Sequence, residues 1–350
     1  MPIAALIAVL FLAPQESPLV QAWAVEVDDI ILGTPVVHED LVIVASMKGT
    51  VAAFKIDGGE PAWSVNAKGS VLSGMALIGD KLFVPAGEAS LVLNAKTGKV
   101  FKDKAPKATR VIVGGSRLYL LASLEYRGGY VLGFSDDIAA YELPSCRSLW
   151  REAPCRLGVT TAVESGSFLY VASQYHLYAL DAKTGKELGM VVREKPKVPG
   201  VPYHGVADKE RVIFLAEQVT CYNPKNLKET WNAPVKGLLS WMPPVLTPDR
   251  LIVFPLPNVV ALDLKTGKEE WTLKLEGDPH FCTTAPPVRG KEICVGFSGK
   301  LFAVDTVAGK ASWTMDTGKV EPPVPVPQPA WAGDRLVYAV GKRVLCLKAK

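Results

Sequence analysis

Short apolar runs alternate with small polar clusters along nearly the whole chain. The stretch "VVALDLKTGKEEW" (259–271) shows the unit clearly. An apolar run ends at Asp263, a tight turn follows, and Trp271 sits in a second strand. Asp263 can accept hydrogen bonds from backbone N–H groups of the turn, Thr266 does so more weakly, and Gly267 supplies a positive φ. The block recurs as "VAAFKIDGGEPAW" (51–63), "LVLNAKTGKVFK" (91–102), "IAAYELPSCRSLW" (138–150), "HLYALDAKTGKEL" (176–188), "VTCYNPKNLKETW" (219–231) and "LFAVDTVAGKASW" (301–313). A shorter copy, "RVLCLKAK", occupies 343–350. The positions equivalent to Asp263 are Lys55, Asn94, Glu142, Asp181, Asn223, Asp305 and Lys348, at spacings of 39 to 48 residues.

Each period holds four strand-like runs. In the first they are "TPVVHE", "LVIVAS", "TVAAFKI" and "AWSVNA"; in the sixth, "MPPVLT", "RLIVFP", "NVVALDL" and "EWTLKL". Val, Ile, Leu and aromatic residues fill them, and Gly, Pro, Asn and Asp punctuate them. No stretch within the repeats sustains a 3.6-residue apolar period. Four strands per unit of about 40–45 residues is the pattern of a β-propeller blade. The expected fold is all-β, an eight-bladed ring of four-stranded antiparallel blades. The eighth copy stops after its third strand, while "VQAWAVEV" (20–27) is an orphan outer strand. The N-terminal segment should therefore complete blade eight and close the ring, removing exposed sheet edges.

The block resembles the tryptophan-docking repeat of quinoprotein-like propellers, a family of eight-bladed rings, over roughly residues 20–350. The resemblance implies that a tryptophan of the outermost strand packs against the neighbouring blade. Trp23, Trp63, Trp150, Trp231, Trp271 and Trp313 match that position, whereas Lys102 and Gly189 replace it in the second and fourth units. Those two blades are expected to be held less firmly. Trp241 and Trp331 lie away from it. The family contains quinone-dependent dehydrogenases and also non-enzymatic scaffolds, such as the lipoprotein of the outer-membrane barrel-assembly machinery. Fold does not choose between them.

Composition narrows the field. The chain has 350 residues, 49% of them hydrophobic, enough for a large core. The repeat overrides the two domains that length alone suggests. A net charge of +4, dispersed along the sequence, gives no reason to expect nucleic acid. The densest basic stretch, "KTGKVFKDKAPKATR" (96–110), falls on an outer strand, where Lys protects an edge. "MPIAALIAVLFLAP" opens the chain with an apolar run too short to span a bilayer and suited to a signal peptide. A small-x-small site at Val20-Gln21-Ala22 puts the expected signal segment at 1–22 and a single propeller domain at 23–350. Export to the periplasm or cell envelope follows, with an uncleaved N-terminal anchor as the alternative. No cysteine near the terminus could carry the lipid of the assembly lipoprotein. Otherwise no transmembrane span is expected, and the protein should be a monomer.

The chemistry that the family's enzymes use is not matched. The resemblance implies, for those enzymes, pyrroloquinoline quinone (PQQ) held between a tryptophan and a vicinal disulfide, with Ca²⁺ beside an Asp base. Here no two cysteines are adjacent, and most connections are near minimal. Cys221, Cys294 and Cys346 fall in strand runs, where a cysteine acts as a small hydrophobe. Cys146 and Cys155 look too far apart to bridge. His38, His176, His204 and His280 show no metal-ligand spacing. No phosphate-cradling, nucleophile-elbow or zinc motif is present. The expected protein is non-catalytic, without catalytic, cofactor or metal residues; a quinone-binding oxidoreductase is the alternative.

Departures from the repeat mark the candidate site. The largest is "SLEYRGGYVLGFSDDIA" (123–139), an insertion between the second and third strands of blade three. It carries Glu125, Tyr126, Arg127, Tyr130 and Phe134. Propeller geometry puts such connections on the same face as the lead-ins to the innermost strands, which hold Arg110, Thr160, Thr161, His204 and Trp241. Tyr, Trp and Arg are the types enriched at interface hot spots. A protein or peptide partner is therefore expected on this face, unless the insertion folds back to plug the channel. "EPPVPVPQPAW" (321–331) reads as a stiff crossing into blade eight.

Overall fold

The computed structural model describes residues 15–350 except 88, 103–104, 109, 115–116, 122–124, 128–129, 133–137, 144, 153–158, 174–175, 193–203, 239–241, 278–283 and 319–325. The described residues contain no helix. Eight four-stranded antiparallel sheets follow one another along the chain as the eight blades of a ring, each running from an inner to an outer strand. Blade one runs Val36–His38, Leu41–Ala45, Thr50–Lys55, Pro61–Asn66, and its successors repeat that order. The second strands are almost wholly buried, as in Leu41–Ala45 and Val212–Leu215, and the third strands are buried through their middle, as in Thr50–Lys55. Outer strands alternate exposure, because one of their faces meets only the next blade's turn.

The ring closes with its own ends. Leu19–Glu26 is the outer strand of blade eight and pairs antiparallel with Arg343–Ala349. A clasp secures this seam to blade one. Trp23 Nε1 donates to Ile56 O at 2.7 Å, and Arg335 Nη1 donates to the same oxygen at 2.6 Å. Arg335 Nη2 also reaches Asp57 Oδ1 at 2.7 Å. The strand begins at Leu19, which is buried, so the boundary expected after Ala22 falls inside it. Upstream, Gln15–Glu16 adds a fifth strand to blade seven, parallel to Lys310–Asp316, with Gln15 opposite Trp313. Sequence patterning gives no sign of that strand, because two residues carry no period.

The repeated turn explains its own residues. In blade six the Asp263 carboxylate accepts from Thr266 N and Thr266 Oγ1, at 2.8 and 2.6 Å. Asp181 and Asn94 make the same pair of bonds in blades four and two. Gly267 N then donates to Asp263 O, and Gly267 takes a φ of +70°. A second constraint acts on that glycine. A Cβ there would lie 2.5 Å from the ring of Trp231, an outer-strand residue of blade five. The indole lies over the turn and donates Nε1–H to Leu264 O at 3.0 Å. Trp23, Trp63, Trp150 and Trp271 stand against Gly59, Gly98, Gly185 and Gly309 in the same way. Their Nε1 atoms bond Ile56, Ala95, Ala182 and Thr306 carbonyls. The glycine is thus fixed twice, by its own backbone and by the neighbour's tryptophan.

The two seams without this tryptophan also lack the glycine. Opposite Lys102 the turn residue is Cys146, and opposite Gly189 it is Leu227; both hold positive φ, +52° and +55°. Leu227 is buried, and a Cβ on Gly189 would lie 3.7 Å from Leu227 Cδ1. Leu227 therefore supplies from one side the apolar bulk that tryptophan supplies elsewhere from the other. Lys102 Nζ reaches the next blade's turn at Ser145 O, 3.4 Å away.

Candidate functional site

Blade three's insertion forms a hairpin of its own. Glu125–Arg127 pairs antiparallel with Tyr130–Leu132, Tyr126 opposite Val131 and Arg127 opposite Tyr130, in a sheet separate from the blade. Only Gly128-Gly129 separates the strands in sequence, a pair suited to tight hairpins. The hairpin departs from the end of strand Arg117–Leu121 and returns at Ile138. Leu121 pairs with Arg110, the first residue of the inner strand, so Arg110 stands at the hairpin's base. His204 opens the inner strand of blade five opposite Leu215, at the same end of that blade.

The candidates separate into groups. The backbone brings Arg110, Glu125, Tyr126, Arg127 and Tyr130 to one end of blade three. Phe134 and Trp241 lie outside the described residues. His204 is on the expected face but is 5% exposed, so it offers a partner almost no surface. Thr161 is likewise buried. A lead-in position does not ensure exposure, because the first residue of an inner strand already packs between blades. At the same end of blade two, Ser70, Leu72, Pro85, Ala86 and Gly87 line an open, largely apolar pocket.

Sequence reasoning passes over the outer strands that flank this blade. Blade four exposes Leu188, Met190 and Val192 in alternation, and Val192 is 68% exposed; blade two exposes Val100 and Phe101. The matching positions of blade six are Glu270, Thr272 and Lys274. Apolar outward positions on the two blades that lack the tryptophan are the signal that comparing repeats could have found.

The interior is built for rigidity. Between blades three and four, Tyr119 donates its hydroxyl to Glu164, with Arg117 Nη1 at 3.6 Å from the other carboxylate oxygen. Burial, then the Glu164 carboxylate, pushes the Tyr119 phenol up, so it remains a donor. The buried Gln328 amide bridges Gly296, accepting from its N–H at 3.0 Å and donating to its carbonyl at 3.1 Å. Thr34 and Thr284 hydroxyls meet at 2.5 Å, and Gly33 abuts Ser73 and Gly74, so lead-ins of blades seven, one and two touch. Burial raises the thiol pKa of Cys221, Cys294 and Cys346, which makes them poor nucleophiles.

Comparison with known proteins adds to this geometry. Residues 200–350 match the family model described as outer membrane protein assembly factor BamB. A curated relative, the outer membrane protein assembly factor BamB of Burkholderia pseudomallei (strain K96243), is 27% identical over 197 residues. The match covers 52% of this chain and 50% of the relative, so it spans about half of that protein. The crystal structure of BamB from Moraxella catarrhalis superposes with a TM-score of 0.71 at 16% identity, over 94% of this chain and 99% of that one. The quinohemoprotein alcohol dehydrogenase ADHIIG from Pseudomonas putida HK5 gives 0.68 at 11% identity, over 96% of this chain and 78% of its own. At those identities both structures speak for the fold alone. Repeat, ring and half-chain match together make this an eight-bladed β-propeller with a PQQ-like repeat that is similar to BamB.

Proposed function

We propose that the protein is a non-catalytic propeller scaffold of the cell envelope that binds a protein or peptide partner through the face bearing the blade-three hairpin. The hairpin carries this reading. It is an extra two-stranded sheet, separate from the blade, in a ring whose other described second-to-third connections are short, and its backbone places two tyrosines and an arginine at this end of blade three. Similarity to an outer membrane assembly factor supports an envelope role. Export by a cleaved N-terminal segment and a monomeric state complete the proposal. Among the described residues no helix is long and apolar enough to cross a membrane.

The test uses the full chain in its native cell. Tyr126→Ala with Arg127→Ala should leave the melting temperature within about 2 °C and cut the yield of crosslinked partner at least tenfold, as hot-spot losses do. Unchanged crosslinking would remove the hairpin as the binding element. The oxidoreductase alternative is favoured only by fold likeness to quinoprotein dehydrogenases. Saturable PQQ binding that requires Ca²⁺, with alcohol turnover, would establish it instead.

A further inference from the structure

His38, Glu39 and Asp80 converge where the first hairpin turns of blades one and two meet, at the end of the ring opposite the hairpin. His38 ends the inner strand of blade one, Glu39 follows it, and Asp80 lies in the equivalent turn of blade two. One donor atom from each lies within 4.8 Å of the other two. We propose that these three residues form a site for a divalent transition-metal ion of the zinc type, bridging blades one and two.

His38 Nε2 carries the argument. The imidazole is only 12% exposed, and Nε2 itself is buried without a hydrogen bond. Its charged neighbour, Asp80 Oδ1, stands 3.2 Å away but outside hydrogen-bonding alignment. A buried polar nitrogen in that position calls for a bond it does not have. A separation near 3.2 Å also suits two ligands of one tetrahedral ion, whose bonds to nitrogen and oxygen run about 2.0–2.2 Å. One imidazole with two carboxylates is a zinc-type donor set, whereas Mg²⁺ and Ca²⁺ favour oxygen alone.

The local field already attracts a cation. Lys96 Nζ sits 2.8 Å from Glu39 Oε2, an ammonium already held by one of the three donors. The Lys96 side chain is 60% exposed, so it can swing into water when an ion takes its place. Asp40 is engaged by Lys55 at 2.6 Å and stays outside the donor set. The site is hidden in the sequence because its ligands are one repeat apart and meet only when neighbouring blades align.

Calorimetric titration of the full chain with zinc chloride tests this, with calcium chloride as the control ion. The expected result is one zinc per chain, a melting temperature that rises with zinc, and little response to calcium. His38→Ala and Asp80→Asn should each weaken zinc binding at least tenfold. Lys96→Met should tighten it about threefold or more by removing the competing ammonium. Melting of the zinc-free variants reports whether each is folded, and His38→Gln gives a second, less disruptive probe. Zinc binding that survives His38→Ala and His38→Gln in folded protein, absence of binding up to about 1 mM, or weaker binding in Lys96→Met would each overturn the proposal.

Discussion

At the scale of single residues, the turn Asp, the turn Gly and the outer-strand Trp form one device shared by two blades. Asp263 shows its electrostatic side. Hydrogen bonds from the Thr266 hydroxyl, then from the Thr266 N–H, hold its carboxyl below the ordinary value of 3.8. Asp181 is held down in the same way by Thr184. The folded state thus binds that proton less tightly than the unfolded chain. The stabilisation is complete above about pH 5 and is lost as pH falls through the folded pKa, below about 4. Asn fills this position in blades two and five, so Asp263→Asn should fold normally. Melting at pH 7 and pH 3 should show any advantage of the parent over this variant shrinking in acid; an advantage that grows in acid would contradict the assignment. The Asp and Gly are legible in the sequence because turn chemistry is local. The glycine's second reason is not, since Trp231 approaches from 36 residues away.

At the scale of elements, blades differ in how they meet. Leu227 fills the seam that Gly189 leaves open, so adding a tryptophan alone should overpack it. Gly189→Trp should destabilise by about 1–3 kcal/mol, and Leu227→Gly alone should leave a cavity costing about 2–5 kcal/mol. Together they recreate the pairing of five other seams, and the double variant should be more stable than the sum by at least about 1 kcal/mol. Strict additivity in denaturant melts would show that the two positions do not share one space. The sequence marks Gly189 and Lys102 as exceptions; that Leu227 fills the first of these seams becomes visible only when neighbouring turns are superposed. The hairpin is legible as an insertion. The burial of His204 is not, because strand position fixes the face of the ring and not the depth of the side chain.

At the scale of the whole molecule, the period fixes the ring and the departures from it fix the surface. Blade count and closure can be read before any coordinates exist, since every blade repeats the same four runs. Closure pairs Leu19–Glu26 with Arg343–Ala349 and clasps blade eight to blade one through the Trp23 and Arg335 bonds to Ile56 and Asp57. A chain starting at Thr34 should lose the outer strand of blade eight, melt at lower temperature and aggregate through the opened edge. Melting like the parent would remove the closure. The central claim is that the ring is a platform and the blade-three hairpin is what a partner reads. The most direct measurement replaces residues 123–137 with the short connection of blade one, "MKG", and compares partner crosslinking per folded molecule with the parent. The account predicts a ring that melts as before and loses its partner at least tenfold; a partner retained on the shortened ring would contradict it.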